Sequence, residues 1–473
     1  MTNTLFLDPD RLFPADEKIR GLARELYESV KDLPIVSPHG HVNPKMLLDN
    51  EPFSDATNLF LTYDHYVFRM LHSAGVDLAS IGVGKSDPVD PRAAWRIFCE
   101  NWRLLDGTAS GYWLTHEFVT LFGIEEEPCA ENADKLFDII GAKLTSDEFR
   151  PRALFNSFPI DVLATTDDPL DSLEYHAALA ADETFTGRVI PTWRPDPYVN
   201  TRQPQWRSHA QALTASVGYD VDSFDGYLEG FRASRARFIE HGAVSADFGV
   251  AHPLTLDLND DELGTLYRKA VNEGLTAHES DVFEGAMLLR FAGMSVEDGL
   301  VMTIHPGVYR NHNTAAFETF GPDTGHDIPL QTEYTKNIRP LLEKYGNDPR
   351  LHLVLFTIDE TVYSRELAPL AGFYPSVFIG APWWFIDAPD AILRFRSATT
   401  ETAGFSRASG FIDDTRAFLS IPARHDMSRR LDSVFLARYV VEGRISRSSA
   451  FYWIKALTSD QPRKVFKLDS VSQ

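Results

Sequence analysis

The sequence predicts an α/β protein folded as a (β/α)₈ barrel, and three observations carry that expectation. Eight short runs rich in β-branched and aliphatic residues are spaced along the chain, most of them separated by helix-like segments. A repeated strand–helix order builds a parallel sheet, and eight units suggest a closed one. No glycine-rich phosphate fingerprint follows the first run, as an open dinucleotide-binding sheet would require. The chain has 473 residues, whereas a plain barrel takes about 250. Residues 45–150 and the long connection after the fourth run largely absorb the surplus. The expected organisation is one barrel domain, 1–473, with a mostly helical insertion at 45–150 after strand one.

The elements follow in order. An amphipathic segment, "PADEKIRGLARELYESV" (14–30), reads as a helix and leads into the first run, "LPIVS" (33–37). The insertion then shows helical patterns crowded with aromatics: "DHYVFRMLHSAGV", "AAWRIFCENWRLL" and "GYWLTHEFVTLF". The next runs are "DVLATT" (161–166), "RVIPTW" (188–193) and "AVSADFGV" (243–250). They continue with "VMTIHP" (301–306), "HLVLFTI" (352–358), "SVFIGAPWW" (376–384) and "GFIDDTR" (410–416). Helical patterns such as "DELGTLYRKAVNEGL" and "FEGAMLLRFAGM" lie between them, and "RHDMSRRLDSVFLARYVVEG" follows the last.

Composition bounds the function. With 44% apolar and 24% charged residues, the chain is an ordinary soluble globular protein able to bury its own core. Cys99 and Cys129 are too few for a disulfide framework, which points to a reducing compartment. The start, "MTNTLFLDPDRLF", has neither the basic nor the apolar region of a signal peptide. No run approaches the roughly 18 apolar residues of a membrane span, so a cytoplasmic location is expected. The net charge of −23 argues against nucleic acid as a partner. It also means that an anionic substrate needs local arginines.

In a barrel, chemistry gathers at the carboxyl ends of the strands, and polar residues concentrate there. The first run ends in His39-Gly40-His41, whose alternate side chains share one face of an extended chain. The pair suits a metal, acid–base work, or only a polar loop after a strand. Asp167 and Asp168 follow the second run, where a helix cap is the plainer reading. Arg194 and Asp196 follow the third, and Asp247 lies within the fourth. His305 ends the fifth, with Arg310 just beyond; Asp359 and Glu360 follow the sixth. Trp383 and Trp384 end the seventh, and Asp413, Asp414 and Arg416 end the eighth. Structural roles compete for several: an ion pair for Arg194, a hydrogen-bonded core site for His305, wall packing for one tryptophan. The spacing of Asp414 and Arg416 favours a shared functional space.

Several separated motifs together resemble the uronate (glucuronate) isomerase family of the amidohydrolase superfamily. They are "SPHGHVNP" (37–44), "DHYVFR" (64–69), "TTDDPLDSLEYH" (165–176), "PTWRPD" (191–196), "HPGVYRNHN" (305–313), "GPDTGHD" (321–327), "APWWFID" (381–387) and "IDDTRAFLSIPARHD" (412–426). Spread in one order over nearly the whole chain, they make the resemblance specific. There are departures. The family's Thr-Asp-Ser-Arg reads Asp413-Asp414-Thr415-Arg416, its Asp-His-Gly near strand four reads Asp247-Phe248-Gly249, and "TIDETVYSREL" is unusual.

The resemblance implies a barrel of the amidohydrolase type. It also implies interconversion of D-glucuronate with D-fructuronate, and of D-galacturonate with D-tagaturonate. Such an isomerisation needs a base near C1 and C2, stabilisation of enediol oxygens, and a clamp for the carboxylate. Asp414 is then the base candidate, with Arg416 beside it, and Tyr66 and His305 complete the catalytic set. Arg194, Arg310, His65, Trp383 and Trp384 are candidates for holding substrate, since a guanidinium suits bidentate pairing. His39, His41 and Asp414 resemble a Zn²⁺ site. No lysine is evident to bridge two metals, so the expectation is a weakly held or dispensable Zn²⁺, with no organic cofactor. The expected partners are a small hexuronate and further copies of the chain as a homo-oligomer, with neither nucleic acid nor membrane. Two rivals are a metal-dependent amidohydrolase or lactonase on the same barrel, and a non-catalytic sugar-acid binding protein.

Overall fold

In the computed structural model, which describes residues 4–84 and 89–471, parallel strands form a ring. The first three residues of the N-terminal stretch lie outside that range. Strands β1 (Ile35–Ser37), β2 (Ile160–Ala164) and β3 (Arg188–Ile190) pair in that order. Strands β4 (Ser245–Val250) and β5 (Val301–Pro306) begin a second parallel sheet. A short antiparallel pair, β6 (Val308–Tyr309) and β7 (Ile328–Pro329), stands apart from the ring. The second sheet then continues with β8 (Leu353–Leu355) and β9 (Val377–Ile379). Single parallel bridges at Trp193, to Asp167 and to Ala246, join the two sheets.

The eighth run, 410–416, is not a strand, contrary to the sequence expectation. Ala408 bridges to Ile379, Ser409 N–H donates to the Ile379 carbonyl at 2.8 Å, and His41 N–H donates to the Thr415 carbonyl at 3.0 Å. The segment thus spans the gap between β9 and β1 without a ladder. The reason is its backbone. Gly410 (φ +83°) and Asp414 (φ +40°) are both left-handed, which breaks the pleat a strand needs. A side chain at Gly410 would also meet Pro462 Cδ at 2.5 Å. The seventh run likewise ends early, at Ile379, and 380–388 leaves the ring as a loop with Trp384 and Phe385 at positive φ.

Strands buried on both faces read as continuous apolar runs, and here the two faces have distinct partners. Val36, Val162, Val301, Val354 and Phe378 pack together with Val465, Phe466 and Leu468 from the C-terminal segment. Arg188 Nη1 donates to the Leu468 carbonyl at 2.9 Å, and His352 Nδ1 lies 2.7 Å from the Val465 carbonyl. This segment therefore closes the amino end of the ring. Ile304, Leu353, Leu355 and Phe248 belong to another cluster, packed against outer helices such as Ala277–Asp298.

Between β1 and β2 the chain runs through helices around an aromatic core of Trp95, Phe98, Phe118 and Phe122. Asp64 caps the His65–Ser73 helix, accepting from the backbone of Tyr66 (2.9 Å) and Val67 (3.1 Å). That cap places His65 and Tyr66 in the first turn. Nearby, Glu117 of the Ala109–Thr120 helix is buried, with no ion pair or side-chain hydrogen bond among the described residues.

Burial pushes the Glu117 carboxyl up to about 8; Arg424 opposes the shift and Asp64 adds to it. The folded protein then holds a proton that the unfolded chain releases near pH ~4.3. Between these values the unfolded state binds fewer protons, so this group's contribution to stability falls as pH rises. Glu117→Gln is accordingly expected to be more stable than the parent by roughly 1–3 kcal/mol near pH ~8.5, and about equal near pH ~4.5. Urea unfolding at the two pH values checks it; a difference independent of pH would show that Glu117 is not the titrating group.

Candidate active site

His39 and His41 leave the end of β1 and meet Asp414 across the ring. His39 Nε2 is 3.5 Å and His41 Nε2 3.0 Å from Asp414 Oδ1. The other carboxylate oxygen, Oδ2, faces His305 Nε2 at 4.0 Å. The imidazoles of His39 and His305 stack with centroids 4.8 Å apart, and His41 meets His39 edge-on. Burial, which favours the neutral ring, pushes His39 down to about 4. Burial works the other way on Asp414, but His39, His41 and His305 outweigh it and hold the carboxyl well below its usual range. Asp414 is an ionised carboxylate among imidazoles.

A second acid lies behind His305. Asp247, inward-facing on β4 and fully buried, accepts from Thr303 Oγ1 at 2.7 Å and sits 2.5 Å from His305 Nδ1. Arg194 Nη1 approaches its other oxygen at 3.2 Å. Burial opposes ionisation, yet His305 and Arg194 hold Asp247 far below the normal range. Nδ1 of His305 donates to this carboxylate, and its buried Nε2, on the side of Asp414, has no hydrogen bond among the described residues. Asp196 anchors Arg194 at 2.7 Å and accepts from Gly249 N–H at 3.0 Å. A Cβ at position 249 would lie 2.4 Å from Arg194 Nη2, so a side chain there would displace the guanidinium. Phe248 packs against Trp193 and Phe291 in the outer cluster. It also lines the cavity that reaches this centre.

The long loop between β6 and β7 and the insertion form the outer wall. Arg310 Nη1 pairs with buried Asp327 at 2.9 Å and lies 3.5 Å from Asp323. Arg416 Nη1 is also 3.5 Å from Asp323. Arg310 sits over the Trp384 ring at 5.0 Å, and Trp384 meets His65 edge-on. Trp383 stands against His305 with centroids 4.8 Å apart. His65 is pushed down to about 3 by burial and by Arg416. Tyr66 donates its hydroxyl to Asp387 at 2.9 Å, and Arg424 Nη1 donates to the same oxygen at 3.1 Å. A cavity of about 710 Å³ reaches this centre, with Arg194, Gly249, His305 and Arg310 in its walls.

The residues singled out from sequence thus fall into one region, but not on equal terms. His39, His41, His305, Arg194 and Asp414 form the inner group; Arg310, Arg416, His65, Trp383 and Trp384 line its outer side. Tyr66 is tied to Asp387 and Arg424. Two other strand-end acids are held by structural partners: Asp168 accepts from Tyr198 Oη at 2.6 Å, and Glu360 pairs with Arg394 at 2.7 Å. Asp247 was visible only as an acid within a strand, and its link to His305 was not. Asp323, Asp387 and Arg424 lie inside quoted motifs, but nothing local indicated their partners.

The nitrogen and oxygen donors of His39, His41 and Asp414 lie within 4.8 Å of one another. Neutral imidazoles and a carboxylate are a donor set suited to a divalent transition metal. The unbonded Nε2 of His305 adds a free donor beside it. These residues fit a metal ion.

The comparisons with known proteins agree with this geometry. The glucuronate isomerase family model matches residues 17–460. A uronate isomerase of Corynebacterium efficiens is 52% identical over 461 residues, covering 97% of this chain and 98% of that protein. The crystal structure of a glucuronate isomerase from Caulobacter crescentus matches with a TM-score of 0.97 and 48% identity, over 99% of this chain and 98% of that one. A uronate isomerase structure from Thermotoga maritima matches with a TM-score of 0.91 and 28% identity, over 98% and 99% of the two chains. Ring, site and sequence together make this chain a member of the glucuronate (uronate) isomerase family.

Proposed function

We propose that this enzyme interconverts aldohexuronates and their keto isomers, D-glucuronate with D-fructuronate and D-galacturonate with D-tagaturonate, through an enediol. The observation that carries the proposal is geometric: the Asp414 carboxylate faces His305, His305 is backed by Asp247, and Arg194 pairs with that same Asp247. Asp414 takes the C2 proton of the open-chain sugar and returns it to C1. Its low pKa keeps it ready as an acceptor but makes it a weak base, so the transition state needs help from its surroundings. Arg194 and His305 supply it by stabilising charge on the enediol oxygens and moving hydroxyl protons. Arg310 and Arg416, which converge on one carboxylate in the free protein, hold the carboxylate of the sugar acid. His65, Trp383 and Trp384 wall off water, and Tyr66 relays a hydroxyl proton against Asp387.

His39, His41 and Asp414 would hold a Zn²⁺, which when bound supplies Lewis-acid polarisation of a sugar oxygen. Asp414 would then be both ligand and base, and the two roles compete, because a cation held by the carboxylate makes it a poorer base. We take the metal to be weakly held and dispensable. The same reading has 45–150 acting as an insertion subdomain of a single barrel domain, in a cytoplasmic homo-oligomer. No helix among the described residues is long and apolar enough to cross a membrane.

Proton NMR in deuterated water, on both uronates, tests the reaction: conversion should carry deuterium to the carbon beside the carbonyl. Absence of conversion for either sugar would sink the proposal. After exhaustive chelation, turnover should stay within about tenfold of the untreated enzyme, restored by added Zn²⁺. Complete loss would make the metal essential.

A further inference from the structure

Arg310 is held by two acids of one loop, and the two contacts differ in kind. Asp327 is buried, pairs at 2.9 Å and also accepts from Asn311 N–H at 2.7 Å, so it fixes the arginine in place. Asp323 is nearly half exposed and lies 3.5 Å from Arg310 and 3.5 Å from Arg416. It is the only carboxylate shared by these two guanidinium groups among the described residues. Its backbone is left-handed (φ +60°), and Gly325, two residues on, packs against Arg69 and the His65 carbonyl so closely that a Cβ would lie 2.9 Å from both. The loop is therefore pinned just after Asp323, at Gly325 and Asp327, and the Asp323 carboxylate faces the two arginines. Exposed ion pairs of this length are weak. A ligand carboxylate presenting two oxygens to two guanidiniums would outcompete a single long contact to each.

We propose that Asp323 occupies the anion position of the free enzyme and is displaced from the two arginines by the substrate's carboxylate, which makes it an affinity-setting residue for anionic sugars. The inference rests on the assignment of Arg310 and Arg416 as the carboxylate clamp. It implies that an uncharged sugar of the same shape pays twice: it gains no ion pair and leaves Asp323 in place. Burial acts to raise the Asp323 carboxyl, but Arg416 and Arg310 keep it below the usual range, so it competes as an anion at neutral pH.

The test compares Asp323→Asn, which keeps the shape, and Asp323→Gly, which suits the left-handed backbone. KM for D-glucuronate is measured along with the inhibition constant of D-gluconate, a sugar acid with no carbonyl to isomerise. Removing two exposed ion pairs should lower both constants by about two- to tenfold at low ionic strength, with the gain shrinking in high salt. Arg310→Met, run in parallel, should raise both. If the Asp323 variants leave both constants unchanged or raise them while Arg310→Met raises them, displacement is wrong and Asp323 instead supports the arginines or the substrate. If Arg310→Met leaves them at the parent value, the carboxylate clamp itself is misassigned.

Discussion

Asp414→Asn is expected to lower kcat for either uronate by about 10³-fold or more, with the fold intact. General-base contributions span roughly 10²–10⁴, and this substitution removes more than basicity. The amide cannot carry the negative charge around which His39, His41 and His305 are arranged. Asparagine nearly matches aspartate in shape and tolerates the left-handed backbone at this position (φ +40°). Stability should therefore stay within about 1 kcal/mol of the parent. The decisive measurement is solvent exchange of the C2 proton, which reports the base directly. Loss of exchange alongside retained binding of D-gluconate is the expected pair of results. Exchange at the parent rate would take Asp414 out of proton transfer and leave it as a structural or metal-holding group.

The second large effect is expected at Asp247. As a carboxylate it holds His305 with Nδ1 as the donor. An asparagine amide can turn its NH₂ toward Nδ1, reversing the tautomer and putting a proton on Nε2, the nitrogen that faces Asp414. Asp247→Asn should lower kcat by about 10²–10³-fold. Arg194 keeps Asp196 as a partner at 2.7 Å, so the variant does not strand a buried charge. A merely structural role would lower stability and leave the pH profile in place. A positioning role changes the shape of the kcat/KM profile, and His305→Gln should then add little to the effect of Asp247→Asn. Independent, multiplying effects of the two substitutions would show that they do not act as a unit.

Much of the fold was legible because the physics of parallel strands is local. A strand buried on both faces reads as a short apolar run, and seven of the eight expected runs are strands. The eighth was misread because "GFIDDTR" has a strand's composition, while its left-handed residues Gly410 and Asp414 are a property of backbone conformation. Alternation along β4 turns Asp247 toward His305, while Phe248 packs against Trp193 and Phe291 and lines the cavity wall.

The candidate residues were therefore largely legible in the sequence: the histidine pair, Arg194 and Arg310 follow strands, His305 lies near the end of one, and Asp414 and Arg416 lie in the segment that spans the gap between β9 and β1, at the end where a barrel gathers its chemistry. What only the tertiary structure decided is which atoms face one another. The division of Asp414 between two histidines on Oδ1 and a third at Oδ2, the carboxylate behind His305, and the acid standing between Arg310 and Arg416 join residues as far apart as 39 and 414. Charge and hydrogen-bond direction act over a few ångströms, and those distances exist only once the ring has brought its strand ends together.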